Sequence, residues 1–308
     1  MRPSPIRLAL TLLVLAGAPL PAVAADLLDA KPRTAVISAF PPEMTALEAA
    51  TSDKHAYTAA GTRFVTGTLE GKPVVLFLSG ISMVNAAMTT QSALDRFKIE
   101  RIVFSGVAGG ADPALEVGDV VAPERWVQSS EMAYAREVPG GFAPTPGLTD
   151  GRTNFGMMYP RAVTVTRDPA PGEDVKPEDL KDFPVDPALL KLARRSVEGL
   201  TLKRCAADQC LTKPPKVVVG GVGGSGPVFV DNAAFRQYAH DVFGARVLDM
   251  ESAAVAQVAY VNRTPFIAFR SLSDLAGGDP DGNQFPVFLK FAAENSATVV
   301  RAFVKALP

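Results

Sequence analysis

The chain has 308 residues, of which 47% are hydrophobic and 20% charged, with 31 Lys and Arg against 32 Asp and Glu. This is ordinary globular composition, and the length suits one large α/β domain or two small ones. No basic stripe is present, which argues against nucleic acid as a partner. Only two histidines occur, neither at ligand spacing from the two cysteines, so we expect no metal and no cofactor.

Residues 1–24 have the features of a secretion signal. Two arginines supply positive charge, residues 8–20 form a short apolar run, and residues 22–24 (AVA) match a cleavage site. Glycine and proline break the run, which favours a cleaved signal over an uncleaved membrane anchor. Its removal lowers Lys and Arg from 31 to 29 against 32 acids, a net charge of −3. We therefore expect a secreted, periplasmic protein without membrane attachment, whose mature domain spans residues 25–308.

Buried strands are predicted by short, nearly continuous runs of Val, Ile, Leu and Phe, because strands covered on both faces do not alternate apolar and polar residues. In chain order the runs are residues 34–39, 73–78, 101–105, 118–122, 216–219, 246–248 and 265–269. Helical stretches lie between or after them, at residues 82–97, 231–242, 250–261 and 283–307. The alternation predicts an α/β fold, a single domain with a central mixed β-sheet flanked by helices.

Residues 128–215 interrupt this alternation. Prolines are dense there, and periodicity is poor apart from residues 188–197. We interpret the segment as a Pro-rich insertion on one α/β domain, not as a separate domain. Cys205 and Cys210 lie within it, and in an oxidising compartment a local disulfide is favoured over two free thiols.

Polar side chains follow several predicted strands, which is where open α/β sheets bind their ligands. Glu43 follows the first strand, Glu251 follows a later one, and Arg270 and Asp274 follow the last. The glycine-rich segment 105–110 (SGVAGG) follows another. A single acid after a strand is typically a helix cap or a solvated turn. Three acids at one edge of a sheet together indicate a ligand-binding or catalytic site.

Residues 221–226 (GVGGSG) match the G-x-G-x-x-G pattern of dinucleotide-binding proteins. That pattern requires a helix to open at its third glycine, so that the helix N-terminus meets the pyrophosphate. An extended apolar run follows here instead, which argues against a dinucleotide site.

Seven short segments follow one another in a characteristic order. They are residues 36–43, 79–87, 106–110, 117–121, 225–230, 249–256 and 270–274. Together they resemble the methylthioadenosine/S-adenosylhomocysteine nucleosidases of the nucleoside phosphorylase superfamily, over nearly the whole mature chain. Residues 273–278 and the secretion signal are similar to the exported bark and vegetative storage proteins of the same superfamily.

The resemblance implies a role for each acid. Asp274 would hold or protonate purine N7, and Glu43, with Arg270 nearby, would deprotonate the attacking water. Glu251 would accept hydrogen bonds from the ribose hydroxyls, helped by the backbone amide of Met250. Cleavage of an N-glycosidic bond develops positive charge on the sugar and negative charge on the purine, so carboxylates and a proton donor suit this chemistry.

The resemblance also implies the residues that bind the rest of the substrate. Phe229 would stack on the base, and the backbone of Val230 would read its edge. Ile81 and Phe285 would line the sugar and its 5′ side. The remaining expected contacts are Ser273, beside the acid, and Val107, which replaces the family's serine in the glycine-rich turn.

Three functions stay open, and hydrolysis is favoured. A purine nucleoside phosphorylase needs an anion site, but the glycine-rich turn lacks Ser and Arg at its centre, and Glu43 would repel phosphate. A nucleoside-binding or storage protein without useful turnover is the other alternative. By analogy with the family we expect a homo-oligomer, a dimer, that acts on a small-molecule purine nucleoside.

Overall fold

The computed structural model describes residues 27–167, 174–206, 209–279 and 281–308. The predicted signal, residues 1–24, lies outside the described residues. Within them the helices are α1 (Pro41–Ala49), α2 (Met83–Arg96), α3 (Pro187–Ser196), α4 (Ala233–Phe243), α5 (Ser252–Val261) and α6 (Phe285–Ala306). None of these helices is long and apolar enough to cross a membrane.

Strands in the same part of the chain form one large sheet and several hairpins. In chain order they are β1 (Asp29–Ser38), β2 (Ser52–Ala59), β3 (Thr62–Leu69), β4 (Lys72–Leu78), β5 (Phe97–Gly110), β6 (Val120–Ala122), β7 (Arg125–Gln128), β8 (Met132–Tyr134), β9 (Arg136–Val138), β10 (Gly141–Ala143), β11 (Met158–Pro160), β12 (Val163–Thr166), β13 (Pro177–Leu180), β14 (Phe183–Pro184), β15 (Cys205–Ala206), β16 (Gln209–Cys210), β17 (Val217–Val219), β18 (Val222–Ser225), β19 (Ala245–Asp249) and β20 (Phe266–Asp274).

The central sheet is mixed, as predicted. Twelve strands form it, in the order β14-β7-β18-β19-β5-β1-β4-β3-β2, with β20 beside β5 and with β6 between β20 and β17. Strand β1 runs parallel to β4 and β5, and β20 runs parallel to β5. Strand β19 is antiparallel to β5. Helix α6 packs on β20 and β5 and contacts α1 and α3, while α2 and α5 pack together.

Each predicted buried run overlaps a strand, and all of them except residues 216–219 contribute buried side chains to the core. Ala35, Val36 and Ile37 of β1 are fully buried, and so are Ile102, Val103 and Phe104 of β5. Helices cover these strands, so polar and apolar residues do not alternate along them. The predicted helices are present with boundaries within two residues of the prediction.

The glycine pattern at residues 221–226 lies mostly on strand β18, which the sequence did not predict. Gly223 is required there because a Cβ atom would collide with the ring of the buried Trp126 on β7. The strand ends at Ser225, and residues 226–232 form a loop before α4. Residues 225–230, which resemble the base-binding strand of the family, therefore lie mainly in a loop and not on a strand, because the chain leaves the sheet after Ser225.

Residues 128–215 form short antiparallel hairpins, β8–β11, β9–β10, β12–β13 and β15–β16. The segment also contributes β14 to the edge of the central sheet, and α3 packs against α6. Cys205 and Cys210 form a disulfide that joins β15 to β16, in agreement with the favoured expectation.

Candidate active site

One cavity of about 350 Å³ lies at the edge of the sheet where β1, β5, β18, β19 and β20 end. All of the predicted site residues except Arg270 line this cavity. The parallel strands β1, β5 and β20 bring their carboxyl ends together here, because parallel neighbours end at the same edge. Chain segments from residue 39 to residue 289 thus meet around one space.

Arg270 lies behind the cavity wall, fully buried on β20. Its Nε is 2.7 Å from Asp249 Oδ2, its Nη2 is 3.6 Å from Glu251 Oε2, and its Nη1 is 3.7 Å from Glu43 Oε1. The guanidinium also lies 4.1 Å from the centre of the Phe104 ring. We call Arg270, Glu43, Asp249 and Glu251 the buried charged cluster. The single positive charge of Arg270 therefore interacts with three buried carboxylates.

Glu43 lies in the first turn of α1, and two backbone amides from outside this helix hold its carboxylate. Ala39 N–H donates to its Oε2 at 2.7 Å, and Val107 N–H donates to its Oε1 at 2.8 Å. Burial raises the pKa of the Glu43 carboxyl above its ordinary value, against the opposing effects of Arg270 and the backbone amides. A carboxyl that is oriented and less acidic than usual suits a general base.

The glycine-rich turn lets Arg270 approach Glu43. A Cβ atom at Gly106 would collide with Arg270 Nη1 and would crowd Glu43 Oε1. Only glycine leaves room for the guanidinium at this point of β5. The next side chain, Val107, faces the cavity and packs with Ala292, Ala293 and Leu289 of α6.

Glu251 is the N-cap residue of α5, and it reaches across to the start of α2. Ser82 N–H donates to Glu251 Oε1 at 2.9 Å. Burial raises the pKa of Glu251 to about 7; Arg270 opposes the shift, and the neighbouring Asp249 and Glu43 carboxylates add to it. Met250, beside it, also lines the cavity.

Asp274 ends β20 and is almost fully buried. Its Oδ1 accepts the backbone N–H of Ala276 at 2.9 Å, and its Oδ2 accepts the hydroxyl of Ser273 at 2.9 Å. Burial raises the pKa of Asp274, and the Asp279 and Asp231 carboxylates add to the shift against those two hydrogen bonds. A raised pKa favours the protonated form of a carboxyl, which suits a proton donor.

Apolar side chains form the opening of the cavity. Phe229 is 54% exposed, Ile81 47% and Val228 46%, and the ring of Phe229 meets that of Phe285 edge to face at 5.6 Å between centres. We call Ile81, Val228, Phe229 and Phe285 the apolar rim. Half-exposed aromatic rings at a cavity opening suit stacking on a flat heterocycle.

Some residues of the site were not predicted. Asp249, Ser225 and Ser252 are buried around Arg270, and Val228, Phe40 and Leu289 line the cavity. Leu289 lies four residues after Phe285 on α6, so helical spacing was a signal for it. The serines carry no such signal, because their partners are distant in the sequence.

Comparisons with known proteins show the family of this chain. The family model of the phosphorylase superfamily matches residues 33–305. The 5'-methylthioadenosine/S-adenosylhomocysteine nucleosidase of Marinomonas sp. is 31% identical over 88% of this chain and 97% of its own. Bark storage protein A of Populus deltoides is 28% identical over 81% of this chain and 79% of its own.

A solved structure is similar over almost the same range. The 5'-methylthioadenosine/S-adenosylhomocysteine nucleosidase of Neisseria meningitidis, in complex with methylthio-immucillin-A, superposes with a TM-score of 0.64 at 26% identity. It covers 89% of this chain and 99% of its own. The chain belongs to the phosphorylase superfamily. Within that superfamily its fold is that of the nucleosidases, which confirms the predicted family, fold class and nucleosidase type of enzyme.

Proposed function

We propose that this protein hydrolyses the N-glycosidic bond of purine nucleosides of the methylthioadenosine, S-adenosylhomocysteine or adenosine type, and releases free base and sugar. One observation carries the proposal: Glu43, Glu251 and Asp274 surround a single cavity that opens through an apolar rim. Carboxyl groups placed on both sides of a glycosidic bond perform this division of labour in sugar hydrolysis.

On the base side, Asp274 acts as the acid. Burial raises the pKa of its carboxyl, which favours the protonated form, and transfer of that proton to purine N7 lets the base depart neutral. Ser273, which donates to Asp274, fixes the orientation of the carboxyl. Phe229 stacks on the purine, and the backbone of Val230 reads its edge.

On the sugar side, Glu43 orients and deprotonates water, and Glu251 with the Met250 backbone binds the ribose hydroxyls. Both acids lie within 4 Å of Arg270, which neutralises their negative charge only in part. The remaining negative charge stabilises the positive charge that develops on the sugar. Ile81, Phe285 and Val107 line the sugar and 5′ side, where an apolar substituent fits better than a charged one.

The geometry favours water over phosphate as the nucleophile. Arg270 is fully buried and is already shared by three carboxylates, so it is not free to bind a phosphate. Val107 supplies no hydroxyl at the glycine-rich turn, and its amide is taken by Glu43. Phosphate at this position would be repelled by Glu43.

We further propose a secreted, periplasmic homodimer formed by residues 25–308. Beside the cavity opening, α2 exposes Val84 and Met88, which are 79% and 59% accessible. Exposed apolar side chains on a helix that begins next to the apolar rim are typical of a protein contact. Light scattering on the purified protein tests the dimer, and the mass of the N-terminal peptide from the periplasmic fraction tests cleavage after residue 24.

The direct test is base release by the purified mature protein. Methylthioadenosine, adenosine and inosine are supplied one at a time, with and without phosphate, and free base and sugar are quantified. We expect base release that does not depend on phosphate. Sugar-1-phosphate as product would establish phosphorolysis instead, and nucleoside binding by calorimetry without base release would establish a binding protein.

A further inference from the structure

The orientation of Arg270 decides how its charge is divided inside the buried charged cluster. Its three nitrogens each face a different carboxylate, at 2.7, 3.6 and 3.7 Å. These carboxylates are the charged groups that face Arg270 among the described residues: Glu43 from α1, Asp249 from the end of β19 and Glu251 from the start of α5. A small rotation of the guanidinium would move charge from one carboxylate to another.

Ser252 is the neutral group that contacts the guanidinium most closely. It is the first residue of α5 and is fully buried. Its Oγ accepts from Arg270 Nε at 3.0 Å and from Nη2 at 2.8 Å, so one oxygen is bonded to two nitrogens of the same edge. The opposite nitrogen, Nη1, is left to face Glu43 and the carbonyl of Val107, which it contacts at 3.5 Å.

The position of Ser252 is itself fixed by a second buried serine. Asp249 Oδ1 accepts the Ser225 hydroxyl and the backbone amides of Glu251 and Ser252, the latter two at 3.2 Å. Ala253 N–H donates to Ser225 Oγ at 2.9 Å. These contacts satisfy the first amides of α5 and hold the start of the helix against Asp249 and Ser225.

We propose that Ser252 is a positioning residue: its hydroxyl holds the edge of the Arg270 guanidinium so that Nη1 faces Glu43 and Nη2 faces Glu251. The inference rests on the proposed function, because it assigns Glu43 the role of base. Without the hydroxyl, the cation would move toward Asp249, its nearest carboxylate, and away from Glu43 and Glu251. Ser252 contacts no part of the cavity, so it acts only through Arg270.

Removal of the Ser252 hydroxyl is expected to shift the pH dependence of activity in one direction. Arg270 lowers the pKa of Glu43, while burial raises it and the amides of Ala39, Phe40 and Val107 lower it. If Arg270 moves away, the pKa values of Glu43 and Glu251 both rise, because Arg270 lowers each of them, and both carboxyls are protonated over a wider acidic range. The acidic limb of the kcat/KM profile, which reports the free enzyme, then moves to higher pH.

The experiment compares kcat/KM for base release between pH 5 and pH 9 in the full mature protein and its Ser252→Ala variant. We expect the acidic limb of Ser252→Ala to move up by about half to one pH unit, which corresponds to roughly 3- to 10-fold lower activity on that limb. At alkaline pH the variant should approach the parent. Ser252→Thr, which retains the hydroxyl, should keep the parent profile.

Ser271→Ala is the matched control. Ser271 is equally buried and lies next to Arg270 on β20, but its hydroxyl donates to Gly118 O at 3.4 Å. We expect its profile to match that of the parent. If Ser252→Ala does not fold, Ser252→Cys keeps the side-chain volume with a much poorer acceptor, and the same shift is expected.

The outcomes separate this inference from the proposed function. An active parent with an unshifted acidic limb in the folded Ser252 variant overturns the positioning role and leaves the nucleosidase proposal intact. A uniform loss of activity at every pH also overturns it, since a general packing defect would produce that result. A parent that releases no base from any nucleoside overturns the proposed function itself.

Discussion

The buried charged cluster and the apolar rim border the same cavity, but different physical effects hold them in place. Arg270, Glu43 and Glu251 are at most 5% exposed, and each has several polar partners, whereas Ile81 and Phe229 are about half exposed. A buried charge that loses a partner is costly, so the cluster has one arrangement. The rim can adjust to a ligand or to a second copy of the chain. We therefore expect large effects on turnover from the cluster and Asp274, and smaller effects on affinity from the rim.

The largest expected effect is at Asp274, the acid of the site. In Asp274→Asn the side chain keeps its size, and its amide can donate to Ser273, whose hydroxyl also lies 3.4 Å from Ala108 O. The fold is therefore retained, but the proton for N7 is lost. We expect kcat to fall by about 10²- to 10⁴-fold. Asp281→Asn, an exposed acid of the next loop, is the control, and turnover at the parent rate in Asp274→Asn would exclude the acid role.

The next effect is on stability and comes from Glu251. Its pKa is raised from 4.5 to about 7 in the folded protein, so its contribution to stability is complete below about pH 4.5 and is lost as pH rises through 7. Unfolding in urea between pH 5 and pH 8 should therefore show the parent losing stability relative to Glu251→Gln, by on the order of 1–3 kcal/mol. Glu198→Gln, at an exposed position, should follow the parent. If the free energies of unfolding of the parent and of Glu251→Gln changed in parallel with pH, the raised pKa of Glu251 would be contradicted.

The rim is tested at Phe229. In Phe229→Ala the ring that meets Phe285 is lost, while the acids stay in place. We expect KM for the nucleoside to rise by about 2- to 10-fold with kcat nearly unchanged, because an aromatic contact contributes roughly 0.5–1.5 kcal/mol. Val287→Ala removes an exposed side chain that does not line the cavity, and it serves as control. A fall in kcat instead of a rise in KM would place Phe229 with the catalytic residues.

The smallest expected effect is at Ser82, which links the two regions. Its φ of 81° and ψ of 159° are favourable only for glycine, and its amide donates to Glu251. Ser82→Gly relieves this strain, so we expect a net stabilisation of about 1 kcal/mol with unchanged kcat, measured by urea unfolding and base release. Ser82→Ala keeps the Cβ atom and loses only a hydroxyl that does not cap α2. Equal stability of the glycine and alanine variants would exclude strain at this position.

Local sequence patterns determined the buried strands, the longer helices and the acids that follow the strands. Continuous apolar runs such as residues 101–105 predict buried strands, because such strands must be covered on both faces. Helix α1 and hairpin β2–β3 were missed for the opposite reason. Helix α1 is nine residues long and begins with two prolines, and β2 is mostly exposed, so neither has a clear apolar period.

Only the tertiary structure decided which groups share Arg270. The acids were visible one by one, but Ser82 and Glu251 are 169 residues apart, and Val107 and Glu43 are 64 apart. Ser252 and Ser225 look like ordinary serines in a small-residue stretch, and strand packing makes them part of the site. The residue type and the adjacent sequence indicate which chemistry a side chain can perform. The orientation of a buried charged side chain depends on its partners, and only folding brings those partners within hydrogen-bonding distance.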